Sequence, residues 1–254
     1  MENLLIRLFG LRGAVLHGDP TVLDRFLWLK RHLWSGKFRT LDAGCGTGAC
    51  AMFAATRGNE ALGISFDARN TRVAQKRARL LGLEKATFVE GDLRKLDQLF
   101  PDAGCFDQII CFECIEHIID DKRLMRNLSR LLVPGGRLLL TTPNLEYRGL
   151  VGEDKTKLSQ TEDGGHVRWG YSKEDLAKLC LDVGLKMQSC AGVSGLLSQQ
   201  LTNLLRLSDR VLPHKVGWLL TFPFRALCKL DPFFTALARY PYLSLAIVAQ
   251  KPEA

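Results

Sequence analysis

Two hydrophobic periods alternate along most of this chain. Short apolar runs typical of buried strands are separated by longer segments in which apolar residues recur every three or four positions, as in amphipathic helices. The predicted strands are Arg39–Ala43, Glu60–Ser65, Ala86–Glu90, Phe106–Cys111, Arg137–Thr142, Leu185–Cys190 and Ser244–Gln250. The predicted helices are Pro20–Trp34, Ala49–Arg57, Ala68–Gly82, Asp120–Leu132 and a helix that opens at Ser172 and ends near Gly184. Strands alternating with helices indicate an α/β protein with a mainly parallel, seven-stranded sheet and helices on both faces.

Segment 196–242 departs from this alternation. It holds clusters of Leu, Phe and Trp, and its four prolines cap or break short helices: Pro213, Pro223, Pro232 and Pro241. We therefore expect a helical insertion before the last strand. Taken together, the chain is predicted to form a single domain over 1–254, with an N-terminal helical segment (1–38), a core (39–195), a helical cap insertion (196–242), and the last strand and tail (243–254).

Composition excludes a disordered or fibrous chain, because 46% of the 254 residues are hydrophobic and 24% are charged. No apolar run reaches the length that spans a bilayer. The apolar stretch Met1–Leu16 is interrupted by Glu2, Arg7 and Arg12, so it is a poor signal peptide and a cytoplasmic, reducing location is expected. The eight cysteines are then expected to be inert thiols, since the pair Cys111 and Cys114 has no second pair to complete a zinc site.

The net charge of +8 is concentrated at the two ends of the chain. Residues 1–39 and residues 190–254 each carry seven basic and three acidic side chains, whereas the middle is neutral. An excess spread so thinly among Leu, Phe and Trp does not form the dense basic stripe of a nucleic-acid binder, so no nucleic-acid partner is expected. It suits an anionic membrane surface or an anionic substrate, with an ordinary solvated basic face as the alternative.

The insertion 196–242 is both apolar and basic, because six basic residues and only two acidic ones accompany its apolar clusters. We expect its apolar face to cap the substrate pocket and its basic face to meet anionic lipid or solvent, giving a weak peripheral membrane contact. A homodimer that buries the segment is the alternative.

The first predicted strand ends in the glycine-rich run Leu41-Asp42-Ala43-Gly44-Cys45-Gly46-Thr47-Gly48. Glycines allow a tight turn and a close approach of the backbone to a ligand, with a helix N-terminus behind them. The run lacks the last glycine of the GxGxxG dinucleotide fingerprint, which argues against a nicotinamide oxidoreductase. Asp42, just before the glycines, can pair with an ammonium group.

Over residues 40–190 the sequence resembles class I S-adenosylmethionine-dependent methyltransferases. The resemblance rests on the glycine-rich run and on four further motifs in the same order: Glu90-Gly-Asp92-Leu, Phe106-Asp107-Gln-Ile-Ile, Glu113-Cys-Ile-Glu116-His117 and Leu132-Val-Pro-Gly-Gly-Arg-Leu. It implies a Rossmann-like fold and S-adenosyl-L-methionine as cofactor. By position it implies that Gly44, Gly46 and Gly48 hold the methionine end, that Asp92 accepts from the adenine amino group beside Leu93, and that Cys111 borders the methionine moiety.

One position departs from that family, because Ser65 stands where the second strand normally ends in an acid that grips the ribose. The local pattern resembles cyclopropane fatty acid synthases and tocopherol methyltransferases, which hold the ribose with a hydroxyl residue and an amide five positions later. This implies ribose binding by Ser65 and Asn70. The alternative is that Asp67 turns back and takes the usual role.

Candidate reactive groups follow the fourth strand, at Glu113, Glu116 and His117, and a further one is His166. On a helical turn the first three would share one face. The pattern resembles ubiquinone-pathway O-methyltransferases and small-RNA 3′-end 2′-O-methyltransferases, and this resemblance implies that the four residues bind Mg²⁺ or Mn²⁺. The alternatives are that His166 acts as a metal-free base or substrate contact, supported by His117 and Glu116, or that it is structural.

These features predict an S-adenosylmethionine-dependent methyltransferase that methylates oxygen on a hydrophobic small molecule, since a cap rich in Phe, Leu and Trp would shape an apolar pocket. A 2′-O-methyltransferase of RNA and a cofactor-binding module without activity are the alternatives.

Overall fold

The computed structural model describes residues 19–253, together with Ile6 and residues 9–11. Most of the apolar stretch Met1–Leu16, and with it part of the predicted N-terminal segment 1–38, lies outside the described residues.

Seven strands form one sheet in the order β3-β2-β1-β4-β5-β7-β6. The strands are β1 (Arg39–Ala43), β2 (Glu60–Ser65), β3 (Ala86–Glu90), β4 (Phe106–Phe112), β5 (Leu132–Pro143), β6 (Lys186–Val193) and β7 (Ser244–Gln250). The first five pair in parallel, and β7 lies antiparallel between β5 and β6. The predicted mainly parallel, seven-stranded α/β architecture is confirmed.

Nine α-helices connect or follow these strands in the described part of the chain. They are α1 (Pro20–His32), α2 (Ala49–Thr56), α3 (Ala68–Leu80), α4 (Leu96–Leu99), α5 (Asp121–Leu131), α6 (Lys173–Asp182), α7 (Leu196–Ser208), α8 (His214–Thr221) and α9 (Asp231–Leu237). Three 3₁₀ segments accompany them at Leu93–Lys95, Ile115–His117 and Phe222–Leu230. The short helix α4 was not predicted.

The strand ends differ from the predicted bounds where pairing partners extend a strand. β5 begins at Leu132 rather than Arg137, because Leu132 pairs with Phe106 before the glycines that precede Arg137. β6 continues to Val193 because Val193 pairs with Ser244 of β7. Pairing across a sheet supplies backbone hydrogen bonds that the local sequence alone does not reveal.

Side chains of the predicted type cap the helices. Asp19 accepts a hydrogen bond from the Val22 amide at 3.1 Å, at the start of α1. Ser172 and Asp175 form a reciprocal capping box at the start of α6. These contacts satisfy backbone N–H groups that a helix leaves unpaired at its first turn.

The core consists of two layers, one on each face of the sheet. Leu41, Ile109 and Leu138 pack on one face, whereas Ile110 and Leu139 belong to the other layer. Successive side chains of a strand point to opposite faces, so a strand covered on both sides reads as a continuous apolar run.

The insertion contains α7, α8, the 3₁₀ segment Phe222–Leu230 and α9, which confirms a helical insertion before the last strand. Pro213 is the N-cap of α8, and Pro223 and Pro232 are the second residues of the next two elements. In the described residues no helix has the combination of length and apolar character that a transmembrane segment needs.

The sheet order reverses between β1 and β4, because the chain passes outward from β1 to β3 and then returns to add β4 on the other side of β1. In open parallel sheets this reversal opens a cleft beyond the carboxyl ends of the two strands. The loops after β1 and β4 are therefore placed side by side, and they carry the three glycines of the glycine-rich run and the candidates Glu113, Glu116 and His117.

Candidate functional site

The glycine-rich loop after β1 provides an open backbone surface beside the cleft. Gly46 has a φ of 50°, and a Cβ built on it would have no atom within 4 Å. Gly48, by contrast, would place a Cβ 2.6 Å from the Phe88 ring, so its lack of a side chain serves packing behind the loop. Of the three glycines, Gly44 and Gly46 face a cavity and Gly48 does not line one.

The first cavity, of about 220 Å³, extends from this loop to α1 and to the end of β4. It is lined by Val22, Arg25, Phe26, Asp42, Gly44, Cys45, Gly46, Thr47, Ala49, Cys50, Phe112 and Glu113. Arg25 of α1 lies 3.4 Å from the Glu113 carboxylate. Arg25 belongs to no recognisable motif, and the packing of α1 against the core is what brings it to this cavity. The sequence analysis therefore did not identify it.

Asp42 is nearly fully buried at the wall of this cavity. Its Oδ2 accepts a hydrogen bond from the Ala51 amide at 2.9 Å. Burial raises the pKa of Asp42 to about 7. The Asp42 carboxyl and the Arg25 guanidinium thus line the same cavity. An ammonium group beside Asp42 would favour its ionised form, and the guanidinium would complement a carboxylate, so the pair suits an amino-acid group.

A second cavity of about 150 Å³ adjoins the first at Gly44. It is lined by Gly44, Phe66, Asp92, Leu93, Arg94, Cys114, His117, Ile118, Glu162 and Gly164. The cofactor residues predicted at Asp92 and Leu93 are therefore brought together with the glycine-rich loop. The apolar side chains and the carboxylate suit a flat heterocycle with an amino group.

Asp92 is held by its neighbour Arg94, whose Nε lies 2.8 and 2.9 Å from the two Asp92 oxygens. This guanidinium lowers the pKa of Asp92. Arg94 also donates to Glu162 at 2.7 Å, and Glu162 accepts from the Ile119 amide at 2.7 Å. The loop that precedes His166 is thereby tied to the walls of the second cavity.

The ribose assignment concerns three residues at the end of β2, and Asp67 is already engaged locally. Its side chain caps α3 by accepting from the Arg69 amide at 2.7 Å, and it forms an ion pair with the Arg69 side chain. The assignment of the ribose to Ser65 and Asn70 stays a prediction. Neither Ser65 nor Asn70 lines the two cavities, although Phe66 between them does.

Cys111, predicted to border the methionine moiety, is fully buried in the core and lines neither cavity. Its neighbours Phe112 and Cys114 line the cavities instead. The alternation of side chains along β4 turns Cys111 into the sheet packing. A hydrogen bond with Cys114, together with burial, raises the pKa of Cys111. All eight cysteines are free.

Glu116, His117 and His166 form a cluster beside the second cavity, which His117 alone of the three lines. One possible ligand atom from each lies within 4.8 Å of the others. His117 and His166 meet edge to face, with ring centroids 4.7 Å apart. The Nδ1 of His117 lies 3.0 Å from the Gly165 carbonyl oxygen, and its Nε2 lies 3.9 Å from Oε1 of Glu116. Three of the four predicted metal or catalytic residues are thus assembled.

Glu113 lies outside this cluster, and its carboxylate bonds to Arg25 and to the Ser244 hydroxyl. The prediction that Glu113, Glu116 and His117 share one face required a helical turn from Glu113 to His117. Glu113 instead has a left-handed φ of 46°, and only Ile115–His117 form a 3₁₀ turn. The reversed backbone directs the Glu113 side chain into the first cavity.

Burial shifts the pKa values of Glu116 and His166 in opposite directions. The pKa of Glu116 is raised because the carboxyl is buried and because Glu113 is nearby. Its Oε2 accepts from the Thr142 hydroxyl at 3.2 Å, whereas its Oε1 has no hydrogen-bond partner among the described residues. Burial and the neighbouring His117 lower the pKa of His166, which keeps its imidazole neutral and able to accept a proton.

Hydrogen bonds to backbone carbonyl oxygens hold the loop that carries His166 against the turn Ile115–His117. The Val167 amide donates to the Glu116 carbonyl at 3.0 Å, and Arg168 donates to the carbonyl oxygens of Ile115 and Ile118. No residue of the insertion lines either cavity, so a cap over the substrate pocket stays a prediction. The insertion contacts the segment between β5 and α6 through Arg206, which forms an ion pair with Glu153 at 2.9 Å.

Comparison with known proteins shows the family to which the chain belongs. A family model described as a methyltransferase domain matches residues 35–206. The ubiquinone biosynthesis O-methyltransferase of Xanthomonas oryzae pv. oryzae is 30% identical over 177 residues, which cover 68% of this chain and 71% of the relative. The protein of the same name from Chromobacterium violaceum is 28% identical over 181 residues, covering 69% and 75% of the two chains.

Solved structures show the same fold at low identity. A phosphoethanolamine N-methyltransferase of Haemonchus contortus, solved with S-adenosyl-L-methionine, has a TM-score of 0.64 at 19% identity and covers 96% of this chain and 57% of its own. The [4+2]-cyclase SpnF has a TM-score of 0.61 at 22% identity and covers 91% and 81% of the two chains. A methyltransferase and a cyclase share this fold, so the acceptor must be inferred from the site.

Proposed function

The chain belongs to the methyltransferase domain family and is an S-adenosylmethionine-dependent methyltransferase, and from this premise we propose that it methylates a hydroxyl oxygen of a hydrophobic small molecule. The observation that carries the proposal is the cluster of Glu116, His117 and His166, which reaches the second cavity through His117.

The residues on the two cavities fit the cofactor. The empty space above Gly46 admits a ligand against bare backbone, Asp42 suits an ammonium group, and Arg25 suits a carboxylate. Asp92 and Leu93 suit the adenine ring, as in the resemblance noted above. S-adenosylmethionine, when bound, supplies a methyl group on a sulfonium centre.

The imidazoles provide what an oxygen acceptor needs. Transfer to a hydroxyl requires alignment of the oxygen and removal of its proton. His166 is half-buried and its pKa is lowered, so its neutral ring can take that proton at neutral pH. His117 packs against His166, and its Nδ1 contact with the Gly165 carbonyl fixes the ring in place.

A hydrophobic acceptor is supported by the apolar side chains around the cluster. On the adjoining loops Ile119, Leu145 and Leu158 are exposed. The printed name of the Xanthomonas and Chromobacterium relatives, ubiquinone biosynthesis O-methyltransferase, points in the same direction.

The test is incorporation of labelled methyl from S-adenosylmethionine into a panel of quinols, catechols, phenols, amines and RNA. We expect product only with hydroxyl acceptors of low polarity. His166→Asn should lower kcat by about 10²-fold or more, the scale of losing a general base. His214→Asn, on the exposed surface of α8, is the matched control and should leave kcat unchanged. Methyl transfer only to amines or to RNA would contradict the proposal.

The pH profile gives a second readout for the same histidine. A base must be deprotonated, so a lowered pKa places the acid limb of kcat/KM below the ordinary histidine value near 6.5. Because His117 contributes to the lowering, His117→Asn should move that limb to higher pH. An unmoved limb would show that another group titrates.

A divalent cation is the alternative way in which the same cluster can act. Glu116, His117 and His166 offer three ligands, and the unpartnered Oε1 of buried Glu116 favours this alternative. Mg²⁺ or Mn²⁺ there would polarise the acceptor hydroxyl. Loss of activity in EDTA, restored by either ion and mimicked by His166→Ala, would establish it. Full activity in EDTA would leave His166 as a metal-free base.

A further inference from the structure

The exposed apolar side chains of this protein are concentrated in the insertion. Of the 24 large hydrophobic residues that are exposed in the described part of the chain, 14 lie between positions 204 and 237. They are Leu204, Leu207, Val211, Leu212, Val216, Leu219, Leu220, Phe222, Phe224, Leu227, Leu230, Phe233, Phe234 and Leu237. Single exposed hydrophobic residues are ordinary, but a concentration of this kind marks an interaction surface.

Cations accompany these apolar side chains. Arg210, Lys215, Lys229 and Arg239 are exposed, and none of them forms an ion pair with a residue that the structure describes. Each is within two positions of an exposed hydrophobic residue in the sequence. We call these four cations and the 14 apolar residues the insertion surface.

The two acidic residues of the insertion do not neutralise the four cations. Asp231 is buried and accepts hydrogen bonds from the amides of Gly195 and Leu197 at 2.8 and 2.7 Å. Asp209 binds the His214 ring at 2.8 Å. The insertion surface is therefore apolar and positively charged.

An apolar groove of about 250 Å³ opens between α7 and the 3₁₀ segment Phe222–Leu230. It is lined by Leu197, Gln200, Leu201, Leu204, Phe224, Leu227 and Cys228. Such a groove can receive a hydrocarbon chain. The insertion helices are short, so they can lie along an interface but cannot cross one.

From these observations we propose that the insertion surface docks the protein on a bilayer that contains anionic phospholipid. Interfacial helices combine apolar side chains that enter the acyl boundary with Lys and Arg that meet lipid phosphates. A second copy of the chain would bring the four cations against four identical cations, which disfavours self-association through this surface. The assignment does not depend on the identity of the methyl acceptor.

The experiment is co-flotation of the full chain with vesicles of phosphatidylcholine alone and of phosphatidylcholine mixed with phosphatidylglycerol. We expect binding to the anionic vesicles at low salt, weaker binding at high salt, and little binding to the neutral vesicles. Lys215→Gln with Lys229→Gln should weaken partitioning by more than tenfold, at about fivefold for each charge. Lys76→Gln with Lys122→Gln removes the same charge from α3 and α5 and should leave partitioning unchanged.

A second pair of changes tests the apolar half of the insertion surface. Leu219→Ser with Phe233→Ser replaces two exposed side chains and should reduce binding without lowering the melting temperature, whereas Leu181→Ser on α6 should have no effect. Absence of binding to anionic vesicles would overturn the proposal. Equal loss in the Lys76 and Lys122 control would overturn it too. A dimer that dissociates in the serine variant, with no vesicle binding, would assign the surface to self-association.

Discussion

Gly46 combines a left-handed backbone with open space where a side chain would lie. We expect Gly46→Asn to weaken cofactor binding at least tenfold while leaving the fold intact, because asparagine tolerates this conformation but fills the cradle. Gly82→Asn is the matched control, since Gly82 has a φ of 64° and equally open surroundings at the end of α3. Titration calorimetry with S-adenosylhomocysteine measures both. Equal affinity in the two variants would remove this loop from the cofactor site.

Asp42 is a residue at which stability and cofactor binding oppose each other. Its pKa is about 7 in the fold, above its ordinary value of 3.8, so the fold favours the protonated form. Its contribution to the unfolding free energy is present below the ordinary pKa and is lost as pH rises through about 7. Asp42→Asn should therefore raise the unfolding free energy at pH 8 by about 2–4 kcal/mol and weaken cofactor binding.

Denaturant unfolding of both chains at acidic pH and at pH 8 measures this difference. Asp182→Asn on α6, where the carboxylate is exposed beside Lys178, should leave the pH dependence unchanged. A constant gap between wild type and Asp42→Asn across this range would show that Asp42 does not titrate as stated.

At the scale of elements, α7 is held at its start by α9. Asp231 accepts from the amides of Gly195 and Leu197, and Thr235 accepts from the amide of Leu196 at 2.8 Å. These are the N–H groups that a helix cannot satisfy within itself. Asp231→Ala should cost about 1–3 kcal/mol of unfolding free energy, the penalty for unpaired buried groups. Asp209→Ala, in an exposed part of the insertion, should cost less than half of that.

At the scale of the whole molecule, the first cavity couples α1 to the glycine-rich loop. Val22, Arg25 and Phe26 of α1 line it together with seven residues between positions 42 and 50, and α1 packs against α7. Binding of S-adenosylhomocysteine should therefore slow hydrogen exchange in residues 20–32 and 42–50, with a smaller effect in 196–208. Residues 82–85, which precede β3 at the amino end of the parallel strands, should not change. Protection confined to 42–50 would contradict this coupling.

Much of the fold follows from local chemistry that the sequence displays. The strand positions follow from apolar runs that must be buried on both faces, and the helix starts at Pro20 and Lys173 follow from the capping residues before them. The glycine-rich loop and Asp92 are similarly local, because a turn and its flanking acid depend on a few adjacent residues. For this reason the sequence alone could place the glycine-rich loop and Asp92 at strand ends, and the structure brings them to adjoining cavities.

Only the tertiary structure decided which side chains meet. Arg25 reaches Glu113 because α1 packs beside β4, and Glu113 turns away from Glu116 because its backbone is left-handed. Spacing along the chain does not encode either contact, since each depends on the packing of distant segments. The same holds for the insertion, whose sequence displays apolar and basic residues but not their exposure. Its short helices bury mainly small and polar residues against the core and leave Leu and Phe side chains outside, because only one side of each helix has a packing partner.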